Sequence, residues 1–316
     1  MDWRGSKVVI TGGAGFLGSH LCEALVERGA DVTVIDDFSF GSRDNLGSVL
    51  GAIKLVQHRL GDSLDGLEDA IEGDVLFHLA AVADPRACKA DFESAFRSNV
   101  LGLKACLERG MRCKRILYMS SATVYGTPDY VPIDEGHPLN GKDPYAVTKV
   151  LGEWLCRHYI ENAGYPITIV RNFNSSGPRQ SRAYLIPKLI GQALFEKKIE
   201  IWNAEPIRDF MFVSDTVEAL LSLAMANGVE GFTINLGRGL GIKVGDLAEM
   251  IASFFKVPLV NLKKSVIGST ELVCDNSRLK VMTDWAPRVS LEDGLKATIE
   301  YFRHLQGAPL VPASHS

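Results

Sequence analysis

The residues predict a doubly wound α/β fold, a parallel sheet wrapped on both faces by helices, with a smaller lobe behind it. Three observations carry that expectation. Short apolar runs recur with helix-length stretches between them, and consecutive parallel strands need such crossover helices. The first apolar run ends in a glycine-rich turn that opens a helical stretch. After Asn172 the texture changes to more Pro, Gly and Arg with shorter periodic segments.

In chain order, the expected elements are a strand from Lys7 to Thr11, a helix from Leu17 to Arg28, and strands at Asp31 to Asp36, Asp74 to Ala80, Arg115 to Ser120 and Ile167 to Asn172. Helix-like stretches follow at Ile186 to Glu196 and Val244 to Phe255, and Gly307 to Ser316 reads as a frayed end. This divides the chain into a sheet domain over 1–172, to which some later segments return, a lobe over 173–306, and a tail over 307–316. A chain of 316 residues exceeds what one core usually serves.

Composition narrows the function. With 46% apolar and 23% charged residues and a net charge of -4, the chain reads as soluble and globular. Lys and Arg are scattered, so neither a nucleic acid nor a membrane is expected as partner. No signal peptide is visible, and the apolar runs fall short of the roughly 20 residues of a membrane span. The six cysteines form no disulfide pattern, and with the seven histidines no ligand-spaced cluster. Free thiols, a cytoplasmic location and no metal are expected.

Val8-Val9-Ile10-Thr11-Gly12-Gly13-Ala14-Gly15-Phe16-Leu17-Gly18 places glycines at three-residue spacing between a strand and a helix. Such glycines allow a tight turn and a close backbone approach to a pyrophosphate, held by the N–H groups of the helix start. The pattern alone is weak, and its position gives it weight. Asp36 ends the second strand. A carboxylate there accepts from ribose hydroxyls and repels a 2'-phosphate, which favours NAD over NADP. Gly12, Gly15, Phe16, Leu17, Gly18, Asp36 and Asp37 are the expected contacts, with Asp62 and Ser63 placed toward the adenine.

Two further segments carry chemistry. Ser120-Ser121-Ala122-Thr123-Val124-Tyr125-Gly126 follows a strand, and Tyr145-Ala146-Val147-Thr148-Lys149 lies in a helix-compatible stretch after Pro144. Residues four apart share a helix face, so Tyr145 and Lys149 point the same way. A phenol of pKa near 10 is a poor base until a nearby cation favours its phenolate. Taken alone, Tyr-x-x-x-Lys is usually a solvated helix face.

From Lys7 to about Phe302 the chain resembles the extended short-chain dehydrogenase/reductase family, and within it the UDP-galactose 4-epimerase-like nucleotide-sugar enzymes. The resemblance implies a Rossmann-type sheet and a substrate-binding lobe. It makes Tyr145 the base, Lys149 the ligand of the nicotinamide ribose, and Ser121 the partner of the sugar hydroxyl. It adds Leu79, Ala80, Ala81 and Asn99 to the cofactor's surroundings. Through Arg171-Asn172-Phe173-Asn174, Gly177-Pro178-Arg179 and Arg208-Asp209-Phe210 it assigns Asn174, Arg208 and Asp209 to the substrate, with Thr123 and Lys264 beside them. A guanidinium suits a phosphate because its planar fork meets two oxygens.

There are departures from the family pattern. Ala204-Glu205-Pro206 replaces the usual Gly-x-Gln, Ser175-Ser176 follows the Asn, and the late Arg-x-Gly-Asp is missing. Dehydratases carry Asp-Glu, and decarboxylases a Glu, where this chain has Ala122 and Thr123. The resemblance therefore implies an NDP-sugar 4-epimerase, most simply acting on a UDP-hexose. A 4,6-dehydratase, a UDP-glucuronate decarboxylase and a keto-sugar reductase are the alternatives. It also implies a homodimer through helices at Asp91 to Arg109 and Tyr145 to Asn162, with Phe92, Phe96, Leu155 and Tyr159 as either interface or core residues.

Overall fold

Alternation of apolar side chains along the first strands decides the layering. The computed structural model describes residues 2–62, 68–109, 112–265 and 269–305. Its first half runs β1 (Lys7–Thr11), α1 (Phe16–Glu27), β2 (Asp31–Asp36), β3 (Ile53–Gln57), α2 (Glu68–Ile71), β4 (Val75–His78), α3 (Pro85–Ala90), α4 (Phe92–Phe96), α5 (Gly102–Arg109), β5 (Arg115–Ser121), α6 (Pro144–Ala163) and β6 (Ile167–Asn172). The second half runs β7 (Asn174–Ser176), α7 (Leu185–Gly191), β8 (Ile199–Ile201), β9 (Ile207–Phe212), α8 (Val213–Met225), β10 (Thr233–Leu236), β11 (Gly241–Lys243), α9 (Val244–Phe255), β12 (Leu259–Asn261), β13 (Glu271–Leu272), α10 (Ser277–Thr283) and α11 (Leu291–His304). Ser63 and the expected frayed end from Gly307 lie outside the described residues.

Seven strands form one sheet in the order β10-β6-β5-β4-β1-β2-β3. Every pairing in it is parallel. Val8 and Ile10 of β1 face one side, with Leu21 and Leu25 of α1 and Leu220 and Leu223 of α8. Val9 faces the other, with Leu103 and Leu107 of α5 and Cys156 of α6. Period-two alternation thus supplies both helix layers from one strand. β4 is buried along its whole length, as a central strand covered on both faces must be.

The second half does not stand apart as one block. α8 and β10 return to the sheet, and Leu279 of α10 joins the same core. A separate core of Ile190, Leu247, Ile251 and Ile299 belongs to the lobe, built on α7, α9 and α11. β9 pairs there with β7, β11 and β13. All six cysteines are buried and unbridged. Burial pushes each thiol above its ordinary pKa. Among the described residues, no helix is long and apolar enough to cross a membrane.

Candidate active site and dinucleotide seat

The sheet order reverses between β1 and β4, one branch running to β3 and the other through β5 and β6 to β10. A crevice opens at such a switch point, outside the carboxyl ends of the strands. The glycine turn leaves β1 there. A Cβ at Gly18 would lie 2.2 Å from the Gly12 carbonyl oxygen. At Gly12, whose φ is +73°, a Cβ would lie 2.7 Å from the Ala80 nitrogen. Only glycines allow the turn to close so tightly against α1 and the end of β4. No side chain caps α1, so its first N–H groups remain for an anion.

Asp36, at the end of β2, accepts from Ala14 N at 2.9 Å and from Phe38 N at 2.8 Å. Burial holds its carboxyl above the usual range while these two bonds work against that. A carboxylate has about four acceptor sites, so two remain for ribose hydroxyls. A tight backbone cradle, an uncapped helix start and a seated acid fit a dinucleotide. Phe16 and Leu17 open α1 partly exposed, and Gly15 precedes them. Asp37 instead closes a local turn, accepting from Ser39 N at 2.9 Å. Asp62 is exposed.

Leu79, Ala80 and Ala81 follow β4 and are partly exposed beside the glycine turn. Asn99 lies in a single π-helical turn over 97–101 that joins α4 to α5. Its Oδ1 accepts from Val82 N at 2.7 Å, while its Nδ2 donates to Val82 O and to Thr148 Oγ1. It ties the loop after β4 to α6 and is buried. His78, beneath that loop, contacts Thr11 Oγ1 at 3.1 Å, and burial takes its imidazole down to about 3.

β5 and α6 bring Ser121, Tyr145 and Lys149 together. Asp143 caps α6 by accepting from Ala146 N at 3.0 Å, with Pro144 in the first turn, where its missing N–H costs nothing. Tyr145 follows at once, and Lys149 one turn later. The Lys149 ammonium donates to Met119 O at 2.7 Å and lies 5.9 Å from the Tyr145 ring centroid. Burial lowers Lys149 to about 8. Burial also raises the Tyr145 phenol well above its ordinary value, and a hydrogen bond from Ser121 opposes that rise. Ser121 Oγ accepts from Thr123 N at 3.2 Å and from Thr123 Oγ1 at 3.0 Å, which leaves its own proton free to be donated toward Tyr145.

The residues expected at the substrate divide. Arg208 on β9 donates to the carbonyl oxygens of Ile207, Thr270 and Ser269, with no carboxylate among these partners. Among the described residues these partners are neutral carbonyls, which leaves the guanidinium charge available to an anion such as a phosphate. Asn174 donates to Asp209 O at 3.0 Å. Asp209 itself turns inward, where its carboxylate accepts from Arg238 N, Gly239 N and Cys274 N. Burial raises it to about 6. Lys264 is exposed and lies 5.7 Å from the Trp202 ring centroid. Two residues not anticipated from sequence bear on Tyr145: Cys88, in the small core against which Tyr145 packs, and Tyr184, and both oppose ionisation of its phenol. Tyr184 helps line a cleft with Asp84, Pro85, Arg86 and Ala183. Only its place just after Gly177-Pro178-Arg179 hinted at it.

Comparison with known proteins agrees with this geometry. Residues 8–237 match the NAD dependent epimerase/dehydratase family. The chain is 33% identical to the UDP-N-acetyl-alpha-D-glucosaminuronate decarboxylase of Bacillus cytotoxicus, over 95% of this chain and 98% of that one. It is 32% identical to an uncharacterized UDP-glucose epimerase of Bacillus subtilis, with the same coverage of both. An epimerase of Methanothermobacter thermautotrophicus superposes with a TM-score of 0.90 at 27% identity, covering 96% of this chain and 94% of that one. The UDP-glucuronic acid 4-epimerase of Bacillus cereus, solved with UDP-glucuronic acid and NAD, gives 0.87 at 27% identity over 95% and 99% of the two chains. Since the family model matches well over half of the chain and a relative is 33% identical along nearly its whole length, the chain belongs to the NAD-dependent epimerase/dehydratase family, an enzyme that uses NAD.

Proposed function

We propose that the protein is a nucleotide-sugar 4-epimerase, with a UDP-hexose as its substrate. The observation that carries this reading is the turn beside the base. Ala122 and Thr123 follow Ser121 there, and neither can act as a carboxylate acid or base. Among the described residues, Asp143 is an acid that bears on Tyr145, and its side chain caps α6. The chemistry that NAD would supply here is reversible hydride acceptance from the sugar's C4. The chain's own residues do the rest. Tyr145 takes the C4 hydroxyl proton, Lys149 favours the phenolate by its charge, and Ser121 orients the hydroxyl. Asn174 and Arg208 hold the diphosphate. Gly12, Gly15, Gly18 and Asp36 hold the dinucleotide.

Turnover in D₂O tests the reading. A 4-epimerase yields product with no deuterium on any ring carbon. A second reading, decarboxylation of a UDP-uronate, is favoured by the names of several relatives that align along most of this chain. That reaction releases CO₂ and takes a solvent proton at C5, so CO₂ or C5 deuterium by NMR would sink the epimerase reading. We also propose a homodimer through α4, α5 and α6. Phe92, Leu101 and Trp154 stand 42%, 43% and 62% exposed on and between these helices, which supports an apolar face in need of cover. Leu155 and Tyr159, expected as either interface or core residues, are partly buried and pack against the core.

A further inference from the structure

We propose that Glu23 and Arg179 form a latch that holds residues 38–49 closed against the glycine turn and so keeps NAD on the protein between turnovers. Glu23 lies on α1, the helix that opens from the glycine turn. Arg179 comes from the loop after β7, on the other side of the crevice. Its Nη2 donates to Glu23 Oε1 at 2.7 Å and to Oε2 at 2.6 Å. The two side chains are only 17% and 23% exposed, so water screens the pair less than it would on an open surface.

The pair reaches the intervening segment from both ends. Arg179 Nη1 donates to Asn45 O at 3.2 Å, and Ser48 Oγ donates to Glu23 Oε1 at 2.5 Å. Asn45 Nδ2 in turn donates to Ala14 O at 2.9 Å, inside the glycine turn, and Ser42 N donates to the same oxygen at 3.1 Å. His20 Nε2 lies 3.0 Å from Pro178 O, a second tie between α1 and the loop that bears Arg179. One guanidinium thus joins three separate segments around the expected pyrophosphate seat.

The backbone supports this. Arg179 sits at φ +67°, in the left-handed region that side chains other than glycine rarely adopt. A non-glycine residue persists there only when its surroundings over-determine it. Phe38, where the segment begins, has φ +59° and is held by its N–H on Asp36. A reaction that ends with its cofactor in the oxidation state it began with needs no exchange of cofactor, and a closed seat suits it.

The inference rests on NAD binding at the glycine turn, and NAD release tests it. Arg179→Gly removes the guanidinium while easing the positive φ, and Glu23→Gln removes the charge at nearly constant shape. Wild type and both variants, loaded with NAD, are diluted, and release is followed by assaying free NAD in filtrates. Both variants should release NAD at least ~10-fold faster with a similar association rate, since changes at an interface fall mostly on dissociation. Amides of 38–49 should exchange hydrogen faster, while those of β5 and α6 stay as in wild type. Arg179→Lys, which keeps charge without the fork, should fall between. Wild-type release rates in the folded variants would overturn the latch alone. Failure of the wild type to bind NAD would instead overturn the dinucleotide reading beneath it.

Discussion

Tyr145 and Lys149 lie one helical turn apart in a place where burial disfavours the charged form of each, raising the phenol and lowering the ammonium. Each charge therefore needs compensation from what surrounds or binds it, which suits a proposed base that ionises only with its ligands in place. Tyr145→Phe should keep the fold and NAD affinity yet lose at least ~100-fold in turnover, the usual size of a general-base contribution. Near-normal turnover would remove Tyr145 from that role. His78 makes a pH prediction. Its folded value of about 3 lies below the ordinary 6.5, so as pH falls below 6.5 the unfolded chain takes up a proton that the native state refuses. Stability should decline from this source down to about pH 3, and His78→Asn should flatten that slope in urea titrations between pH 7 and 5. An imidazole signal of His78 that titrates near pH 6.5 by NMR would contradict it. The four-residue spacing of Tyr145 and Lys149 was legible because a helix turns local spacing into a shared face. The inward turn of Asp209 was not, because the residue name beside Arg208 says nothing about which backbone amides will meet its carboxylate.

α6 carries more than Tyr145 and Lys149. Glu153, one turn beyond Lys149, is fully buried and pairs with Arg171 of β6 through bonds of 2.9 and 2.7 Å. Ser120 of β5 donates to Glu153 Oε1 at 2.6 Å. Arg171 continues to the Tyr125 hydroxyl at 2.9 Å, and Tyr125 donates to Asn235 of β10 at 2.6 Å. This chain of bonds fixes α6 across three neighbouring strands just behind Ser121. Removing one member leaves an uncompensated buried charge, so Glu153→Gln or Arg171→Met should each destabilise by about 3–5 kcal/mol. Arg171→Met with Glu153→Gln should recover much of that loss in urea unfolding, and strictly additive losses would show that the two act independently. Five strands of the large sheet were readable as short apolar runs and the glycine turn from its spacing, since both signals are local, whereas β3 and β10 of that sheet were not among the expected strands. The Glu153-Arg171 pair was hidden because it joins residues whose proximity exists only once β5 and β6 have paired.

At the scale of the molecule, the sheet separates two duties. The β1 and β2 ends carry the glycine turn and Asp36, Ser121 ends β5 with Tyr145 and Lys149 on the following α6, and Arg208 lies on β9 beside the lobe. The proposed dimer would use α4, α5 and α6, the last of which also carries Tyr145 and Lys149. Trp154→Glu should shift the mass read by light scattering toward that of one chain of 34.5 kDa without loss of helical signal, and an unchanged mass in both proteins would exclude α6 from any interface. Trp154 was not singled out from sequence because apolar residues on a twenty-residue helix do not reveal which of them faces the sheet. The burial of every cysteine has a practical use. Cys22 lies in the layer of α1, Cys106 and Cys156 in the opposite layer, Cys88 beneath Tyr145, and Cys274 near the lobe. A thiol reacts with a water-soluble reagent as its thiolate and only when exposed, so each must await a local opening of its own layer. The order in which the six become labelled under native conditions would therefore time the breathing of the protein layer by layer, using reporters the chain already contains.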